Sequence, residues 1–307
     1  MKQSFRTSIG GQAVIEGIMM RGPELSALAV RKPDGEITTE TWKNPSSKAW
    51  YSKTPFLRGM FQMISSLMMG YKCLMRSATL AGFDDEEPSK FEKWLAAKLG
   101  KSVTTIVSVF ALVMGLALAL GLFAVLPTAL VGLIAAYLPS LAVRTAIEGV
   151  LKIAIFMIYL LLVSKMPDIK KIFMYHGAEH KTIFCYEQGL PLTVENIRKQ
   201  PRFHPRCGTS FILIVLVISV ILFSVIPSDG VMMRVLLKIA LLPLVVGIAY
   251  EIIKLAGRHN NLFTRIISAP GMWMQRLTTN EPEDIQIEVA IASMNPVIPV
   301  EEGADVW

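Results

Sequence analysis

The chain has 307 residues, of which 52% are hydrophobic and 18% are charged, and its mean hydropathy is +0.48. This composition predicts a membrane protein. Its formal net charge of +7, spread over the polar segments, favours contact with anionic lipid headgroups over a specific nucleic-acid partner. Three cysteines exclude an even disulfide framework and favour a reducing compartment, and we expect no signal peptide at the N-terminus.

Residues 1–50 are expected to form a small β-rich domain. Segment 10–23 is punctuated by glycines around an apolar middle. Further along, a Pro-Asp-Gly tripeptide at 33–35 separates two β-prone segments, 25–31 and 36–42. That tripeptide between such segments predicts a hairpin. We therefore expect a sheet of about three strands.

Residues 51–101 are expected to hold an amphipathic helix and a linker. From 55 to 80 the apolar residues recur at helical spacing beside Arg58, Lys72 and Arg76. A basic amphipathic helix of this kind lies on a membrane surface or docks on neighbouring helices. The acidic residues that follow it predict a solvated linker.

Apolar segments in the remainder of the chain predict about four transmembrane helices, each of which needs roughly 20 residues. The expected spans are 104–126, 147–163, 211–226 and 231–253. Segment 129–143 is also apolar, but it is bracketed by Pro127 and broken by Pro139, so we expect it to be too short to cross.

The basic residues predict the orientation of these spans. They concentrate before the first span, in the polar segment 167–208 and after the last span. The positive-inside rule then places this segment and both termini in the cytoplasm. A five-span alternative, in which 129–143 also crosses, would put the most basic loop outside and is disfavoured for that reason.

The polar segment 167–208 holds three of the four histidines of the chain. His176 and His180 are four residues apart and share one face of a helix, and His204 and Cys207 are three apart just before the next apolar segment. Imidazole and thiolate are the ligands that zinc prefers, and two closely spaced pairs across a loop are typical of tetrahedral sites. The sequence therefore predicts a metal site, with zinc as the expected ion and another divalent metal as the alternative.

Three interpretations of this segment remain open. In the catalytic one, residues 176–180 form an H-x-x-E-H pattern, in which two histidines hold the metal and Glu179 acts on a bound water. In the structural one, His176, His180, His204 and Cys207 fill the coordination sphere. In the third, the histidines only form hydrogen bonds at a polar interface.

Further residues are candidates for contacts around this site. Arg206, Thr209 and Ser210 lie at the start of an apolar helix, whose N-terminus attracts anionic groups such as phosphate, although N-capping by Thr209 or Ser210 explains the pattern equally well. Glu251 lies at the cytoplasmic end of the last span and predicts a metal ligand, a hydrogen-bond partner of a ligand or, as we favour, a salt bridge. Glu16 is a second candidate hydrogen-bond partner of a ligand.

Several motifs together resemble the YqhQ family of bacterial membrane proteins. They are residues 10–23 (GGQAVIEGIMMRGP), 175–181 (YHGAEHK), 192–196 (LTVEN), 204–210 (HPRCGTS), 270–275 (PGMWMQ) and 288–292 (EVAIA). This family has no known function and is described as predicted metal-dependent enzymes. The resemblance implies a bacterial plasma membrane as the location and specifies no substrate.

The sequence thus predicts an α-helical polytopic membrane protein with about four transmembrane helices and a small N-terminal β-rich cytoplasmic domain. The expected segments are 1–50, 51–101, 102–166, 167–208, 209–255 and 256–307. Within the last segment, 283–294 fits either a strand or a helix, and Pro282 near the start favours a helix.

The function expected from the sequence is a zinc-dependent membrane hydrolase that acts on the cytoplasmic membrane face. The alternative is a non-catalytic scaffold, stapled by zinc, that presents a basic face to a partner protein, a ribosome or lipid. Transport is a weaker interpretation, because we expect only Glu148 and Lys152 near the interior of a span and no paired broken helices are evident.

Overall fold

The computed structural model describes residues 5–44, 54–83, 103–205, 207–226, 231–258, 262–301 and 303–306. The chain divides into two compact units. The first comprises Met1–Phe83, Leu160–Val215 and Pro243–Trp307, and the second comprises Asp84–Tyr159 and Leu216–Leu242.

The first unit contains a four-stranded antiparallel sheet in the order β1-β2-β3-β4, rather than the sheet of about three strands expected from the sequence. Its strands are β1 (Gly10–Val14), β2 (Gly17–Arg21), β3 (Leu25–Arg31) and β4 (Ile37–Lys43). The predicted hairpin is confirmed, because β3 and β4 pair on either side of the Pro-Asp-Gly turn. Gly35 supplies the positive φ of +89° in this turn, a conformation that glycine adopts without steric cost.

The rest of the described chain is mostly helical. They are α1 (Leu57–Leu80), α2 (Val103–Leu120), α3 (Leu126–Leu133), α4 (Leu141–Val163), α5 (Pro167–Glu187), α6 (Val194–Arg198), α7 (Gly208–Val225), α8 (Val231–Arg258), α9 (Leu262–Thr278) and α10 (Asp284–Met294). The helical alternative for 283–294 is confirmed. Its N-terminus carries a capping box formed by Glu283 and Gln286.

The sheet of the first unit is covered on both faces, because successive side chains of a strand point to opposite sides. On one side, Ile18 and Met20 pack with residues of α5 and α10. On the other side, Met19 and Leu28 pack with Cys73 of α1. The predicted amphipathic helix therefore docks on the sheet, and this layering places α5, which carries two of the candidate ligands, against one face of β1 and β2.

Three helical segments are long and apolar enough to cross a membrane: Phe110–Leu133, Leu141–Val163 and Val231–Leu255. The segment Phe211–Val225 is apolar but shorter. The structure corrects one expected boundary, since Pro127 does not end the first apolar helix. A π-helical turn at Gly121–Val125 precedes it, and the helix continues to Leu133. A π-turn is one of the local adjustments that re-satisfy backbone groups freed by proline in an apolar environment.

The second unit contains a cluster of buried charges within its apolar helices. Glu148 accepts hydrogen bonds from Lys238 and from the hydroxyl of Thr128, the latter at 2.8 Å. Lys152 and Arg234 approach the same carboxylate at 3.3 and 3.5 Å. From the sequence we identified only Glu148 and Lys152 of α4. The structure shows that Arg234 and Lys238 of α8 also lie beside this carboxylate.

Candidate metal centre

The two histidines predicted to share a helix face lie on α5. This helix begins at Pro167, whose fixed φ suits the first helical turn, and Asp168 in that turn complements the helix dipole. His176 and His180 are one turn apart, and their ring centroids are separated by 4.4 Å. The predicted placement of both imidazoles on one face is therefore confirmed.

Cys207 meets these two rings from the residue that precedes α7. Its Sγ lies 3.2 Å from Nε2 of His176. One ligand atom from each of His176, His180 and Cys207 lies within 4.8 Å of the other two, a spacing that could hold one metal ion. The three side chains come from segments about 30 residues apart in sequence, and burial of Cys207 to 9% exposure keeps its sulfur largely away from solvent.

Backbone carbonyls orient both imidazoles from behind. Nδ1 of His176 donates to the carbonyl of Thr278 at 2.8 Å, and Nδ1 of His180 donates to the carbonyl of Arg202 at 2.6 Å. A donor role at Nδ1 leaves Nε2 as the nitrogen available for a metal. Histidines that bind metals almost always make such an outer hydrogen bond, which fixes the tautomer and the ring orientation.

Electrostatics couple the thiol to the imidazoles. Burial raises the pKa of Cys207, but the two neighbouring imidazoles outweigh it and lower this pKa well below its ordinary value. Burial lowers the pKa of His176, but the charge and hydrogen bond of Cys207 outweigh it and raise this pKa to about 9. The lowered pKa of Cys207 favours the thiolate, which is the form of cysteine that binds metals.

Glu179 contributes a buried carboxylate to the same place. Its side chain is 4% exposed, and one oxygen accepts a hydrogen bond from the backbone N–H of Gly11 at 3.1 Å. The other oxygen, Oε2, has no hydrogen-bond partner among the described residues. Burial raises the pKa of this carboxyl, and the imidazoles of His176 and His180 offset only part of the effect. A buried orphan oxygen of this kind requires a missing partner, such as a water or an ion.

The three candidate ligands and Glu179 line one cavity of about 410 Å³. Its opposite wall is the N-terminal segment from Ser8 to Ala13, which includes β1. A small substrate group in this cavity could contact the histidines and the orphan carboxylate oxygen together.

Comparison with known proteins places the chain in a family. A family model described as "Protein of unknown function (DUF1385)" matches residues 54–300. The chain is also 36% identical over 304 residues to the uncharacterized protein YqhQ of Bacillus subtilis (strain 168), across 98% of this chain and 95% of that protein. The chain belongs to the DUF1385 family. This confirms the resemblance to the YqhQ family that the motifs indicate. No solved structure matches this chain.

His204, the fourth ligand expected from the sequence, lies outside the group of three. The side-chain amide of Gln275 holds its backbone, accepting from its N–H and donating to its carbonyl, each at 2.7 Å. Its ring packs edge-on against Phe184, and its Nε2 lies 3.8 Å from Glu187. The structure therefore groups three of the four predicted ligands, and His204 lines the same cavity without joining that group.

The remaining predicted contact residues have different outcomes. Arg206 lies outside the described residues, as do the side chains of Thr209 and Ser210, although both of the latter begin α7. The Glu251 carboxylate forms the favoured salt bridge, with Arg58 of α1. Glu16 accepts from the hydroxyl of Tyr175 at 3.1 Å, next to a candidate ligand in sequence but without a bond to it.

Sequence patterns did not identify the outer partners of the site. Three of these partners contribute a backbone N–H or carbonyl group: Gly11, Thr278 and Arg202. The fourth, Gln275, binds the backbone of His204 through its side-chain amide. Backbone groups carry no residue signature, so only the glycine pair at the start of β1 offered a signal. A Cβ at Gly11 would lie 3.2 Å from Cδ of Glu179, which indicates that the strand needs glycine to approach α5.

Proposed function

We propose that this protein is a zinc-dependent membrane hydrolase whose active site lies on the cytoplasmic membrane face. The observation that carries the proposal is the combination of three convergent ligands with an adjacent carboxylate oxygen that lacks a partner. Catalytic zinc sites use three protein ligands and keep a fourth position open, whereas structural sites fill all four.

The donor set fits zinc. Two imidazole nitrogens and one thiolate are the borderline-soft ligands that zinc accepts, and His176, His180 and Cys207 would hold it. When bound, the metal supplies Lewis-acid chemistry and lowers the pKa of water at the open position to about 7. Glu179 has its Oε2 free to hold a proton there, while its Oε1 is fixed by Gly11. This division of roles suits a general base.

The chain's two ends support the proposed topology. Thr7 and Val306 form an antiparallel bridge, so both ends of the described chain lie on the same side of the first unit. An even number of crossings fits this arrangement. The three apolar helices together with the shorter helix Phe211–Val225 give four. The basic residues of segment 167–208 favour a cytoplasmic location, in a bacterial cell, for this side and the candidate site.

The alternative function is a zinc-stapled scaffold that binds a partner protein, a ribosome or lipid. One observation favours it, because the His204 ring is 4% exposed and its centroid lies 5.6 Å from that of His180. A rotation of this ring would bring a fourth ligand towards the other three. A filled sphere of four protein ligands would leave no position for a substrate.

Cobalt substitution separates the two functions. Co²⁺ takes the place of Zn²⁺ in such sites and reports its coordination through visible absorption, so the full-length protein is loaded with Co²⁺ and titrated with acetohydroxamate. An open fourth position predicts a saturable change in the spectrum, because the added anion enters the coordination sphere. A spectrum that stays unchanged at saturating hydroxamate would establish the scaffold.

Variants test the ligand assignment beside this titration. We expect elemental analysis to find roughly one zinc per chain in the parent protein and none in the variant that combines His176→Ala with Cys207→Ala. Cys185→Ser is the matched control, since this buried thiol faces the carbonyl of Pro191 at 3.5 Å and lies outside the ligand group. If the protein is an enzyme with three ligands, His204→Ala should keep its zinc. If it is a scaffold with four ligands, the same variant should lose zinc.

A further inference from the structure

A groove of about 1240 Å³ adjoins the candidate metal centre on the other side of β1. Ser8, Gly10, Gly11, Gln12 and Gly208 line both the groove and the smaller cavity, so the two spaces are contiguous. Sites for small ligands usually enclose roughly 300–1,000 Å³. The larger volume of the groove suits a ligand that carries a long chain.

The register of the sheet explains how one strand serves both spaces. Gly10 pairs with Arg21 and Gln12 pairs with Met19, and these side-chain positions face the groove. Gly11 faces the opposite side, towards Glu179. A Cβ at Gly10 would meet no atom within 4 Å, so the wall beside Arg21 is open at this point. A group held by Arg21 therefore lies next to the entrance of the metal centre.

The body of the groove is apolar. Met63 and Met69 of α1, Phe211 of α7 and Tyr250 of α8 line it. Methionines give an adaptable surface that accommodates flexible chains. Phe211 lies in the first turn of its apolar helix and Tyr250 near the end of another. Amphipathic rings such as that of tyrosine are enriched where a helix meets the membrane surface.

The rim of the groove is charged. Arg21 and Lys43 line it together with Glu24, which leaves an excess of one positive charge. Neither Arg21 nor Lys43 forms a salt bridge within the described parts of the chain. An ionic group of single negative charge, attached to an apolar chain, complements this arrangement of apolar body and cationic rim.

We propose that the groove binds an anionic phospholipid from the adjacent leaflet, with its acyl chains along α1 and its phosphate at Arg21 and Lys43. Its head group then lies across Gly10 from the candidate ligands. The lipid is thus the substrate class of the site, a role that rests on the proposed hydrolase function, whereas the binding itself does not.

Photo-crosslinking tests the binding on the full-length protein in detergent. Phosphatidylglycerol with a diazirine on its acyl chain is compared with phosphatidylcholine that carries the same label, and mass spectrometry maps the adducts. We expect adducts on groove residues Met63 and Phe211, with phosphatidylglycerol preferred by about fivefold or more, since each basic residue near a lipid surface is worth about that factor. Unlabelled phosphatidylglycerol should compete these adducts away.

Matched variants on one helix separate the groove from the general lipid surface. Met63→Trp fills the groove and should abolish the groove adducts, whereas Met68→Trp alters a side chain that is 58% exposed and outside the groove and should leave them unchanged. Arg21→Gln with Lys43→Gln should remove the preference for phosphatidylglycerol without a packing change. Lys72→Gln, an exposed cation of α1 outside the groove, is its control.

Zinc content, measured on each variant, keeps this proposal distinct from the hydrolase. Groove adducts in a protein that binds no zinc would support the lipid site and refute the enzyme. Zinc binding with adducts confined to the exposed face of α1, equal for the two lipids and unaffected by Met63→Trp, would overturn the lipid site alone. Equal groove labelling by both lipids would refute the preference for a lipid of net negative charge.

Discussion

The buried charges of the second unit make a stability prediction that the structure can quantify. The Glu148 side chain is 2% exposed, and it is surrounded by Lys152, Arg234 and Lys238, whose side chains are 8 to 11% exposed. Glu148→Gln keeps the size of the side chain and removes the only carboxylate of this cluster among the described residues. Three cations then remain within apolar helices without a counter-charge.

The expected loss follows from what a broken buried ion pair costs. Removal of one partner leaves an uncompensated buried charge and destabilises proteins by about 3–5 kcal/mol. We therefore expect Glu148→Gln to lower the free energy of unfolding by at least about 3 kcal/mol. Glu251→Gln is the matched control, because its carboxylate forms a salt bridge with one arginine, Arg58, and both side chains are about a quarter exposed. Exposed pairs contribute about 0–1 kcal/mol.

Unfolding in mixed micelles, with a rising fraction of denaturing detergent, measures both variants. Glu148→Gln combined with Lys238→Met should recover part of the loss, because the second change removes one of the unpaired cations, and the recovery gives the coupling between the two residues. A loss below about 1 kcal/mol for Glu148→Gln, or a double variant no more stable than the single one, would show that water reaches these charges and would refute the reasoning.

Three further predictions concern the metal centre and the topology. Glu179→Gln should keep zinc and fold but lower function in a complementation assay by the 10²–10⁴-fold typical of a lost general base, and full complementation would contradict the hydrolase. The pKa of His176 is about 9 without a metal, so zinc must displace a proton from this imidazole. The zinc affinity measured by calorimetry should therefore rise with pH and level off above about 9. An affinity that does not change with pH would contradict the pairing of His176 with Cys207. A cysteine at the exposed position Gln188 should resist a membrane-impermeant thiol reagent in intact cells. A cysteine at Tyr137, which is 86% exposed, should react. Labelling at Gln188 would show that the orientation in the membrane is the opposite of the one proposed.

Local patterns in the sequence were sufficient for the elements that short-range interactions determine. The hairpin at 33–35 and the pairing of His176 with His180 depend on residues within a few positions of each other. Thr193 likewise accepts from the backbone N–H of Asn196, as its position before α6 predicts. In each example the turn or helix geometry fixes the contact once the element has formed.

Contacts between distant segments required the structure. Glu179 and Gly11 are 168 residues apart in sequence. The donor of their hydrogen bond is a backbone N–H, which every residue except proline has, so the residue type does not predict this contact. The same holds for Lys238 and Glu148, whose contact depends on how α8 packs against α4. The predicted end of the first apolar helix at Pro127 was wrong for a related reason. A proline usually ends a helix in water, but it is tolerated in an apolar environment where the neighbouring backbone adjusts.

The glycine pair of β1 gives the most direct test of how the sheet builds the candidate site. A Cβ at Gly11 would lie 2.5 Å from the carbonyl oxygen of Met19, 2.9 Å from Sδ of Met20 and 3.2 Å from Cδ of Glu179. The first contact is with backbone, which cannot rotate away, so Gly11→Ala must displace the strand and lengthen its hydrogen bond to Glu179. Overpacking of this kind costs about 1–3 kcal/mol.

Gly10→Ala is the control, because its Cβ would meet no atom within 4 Å. We expect Gly11→Ala to lower the midpoint of thermal unfolding while zinc content stays unchanged, since β1 supplies none of the three ligands. Gly10→Ala should stay within about 0.5 kcal/mol of the parent protein, as surface substitutions do. If both variants unfold at the same temperature, β1 does not press on Glu179, and the carboxylate is positioned by α5 alone.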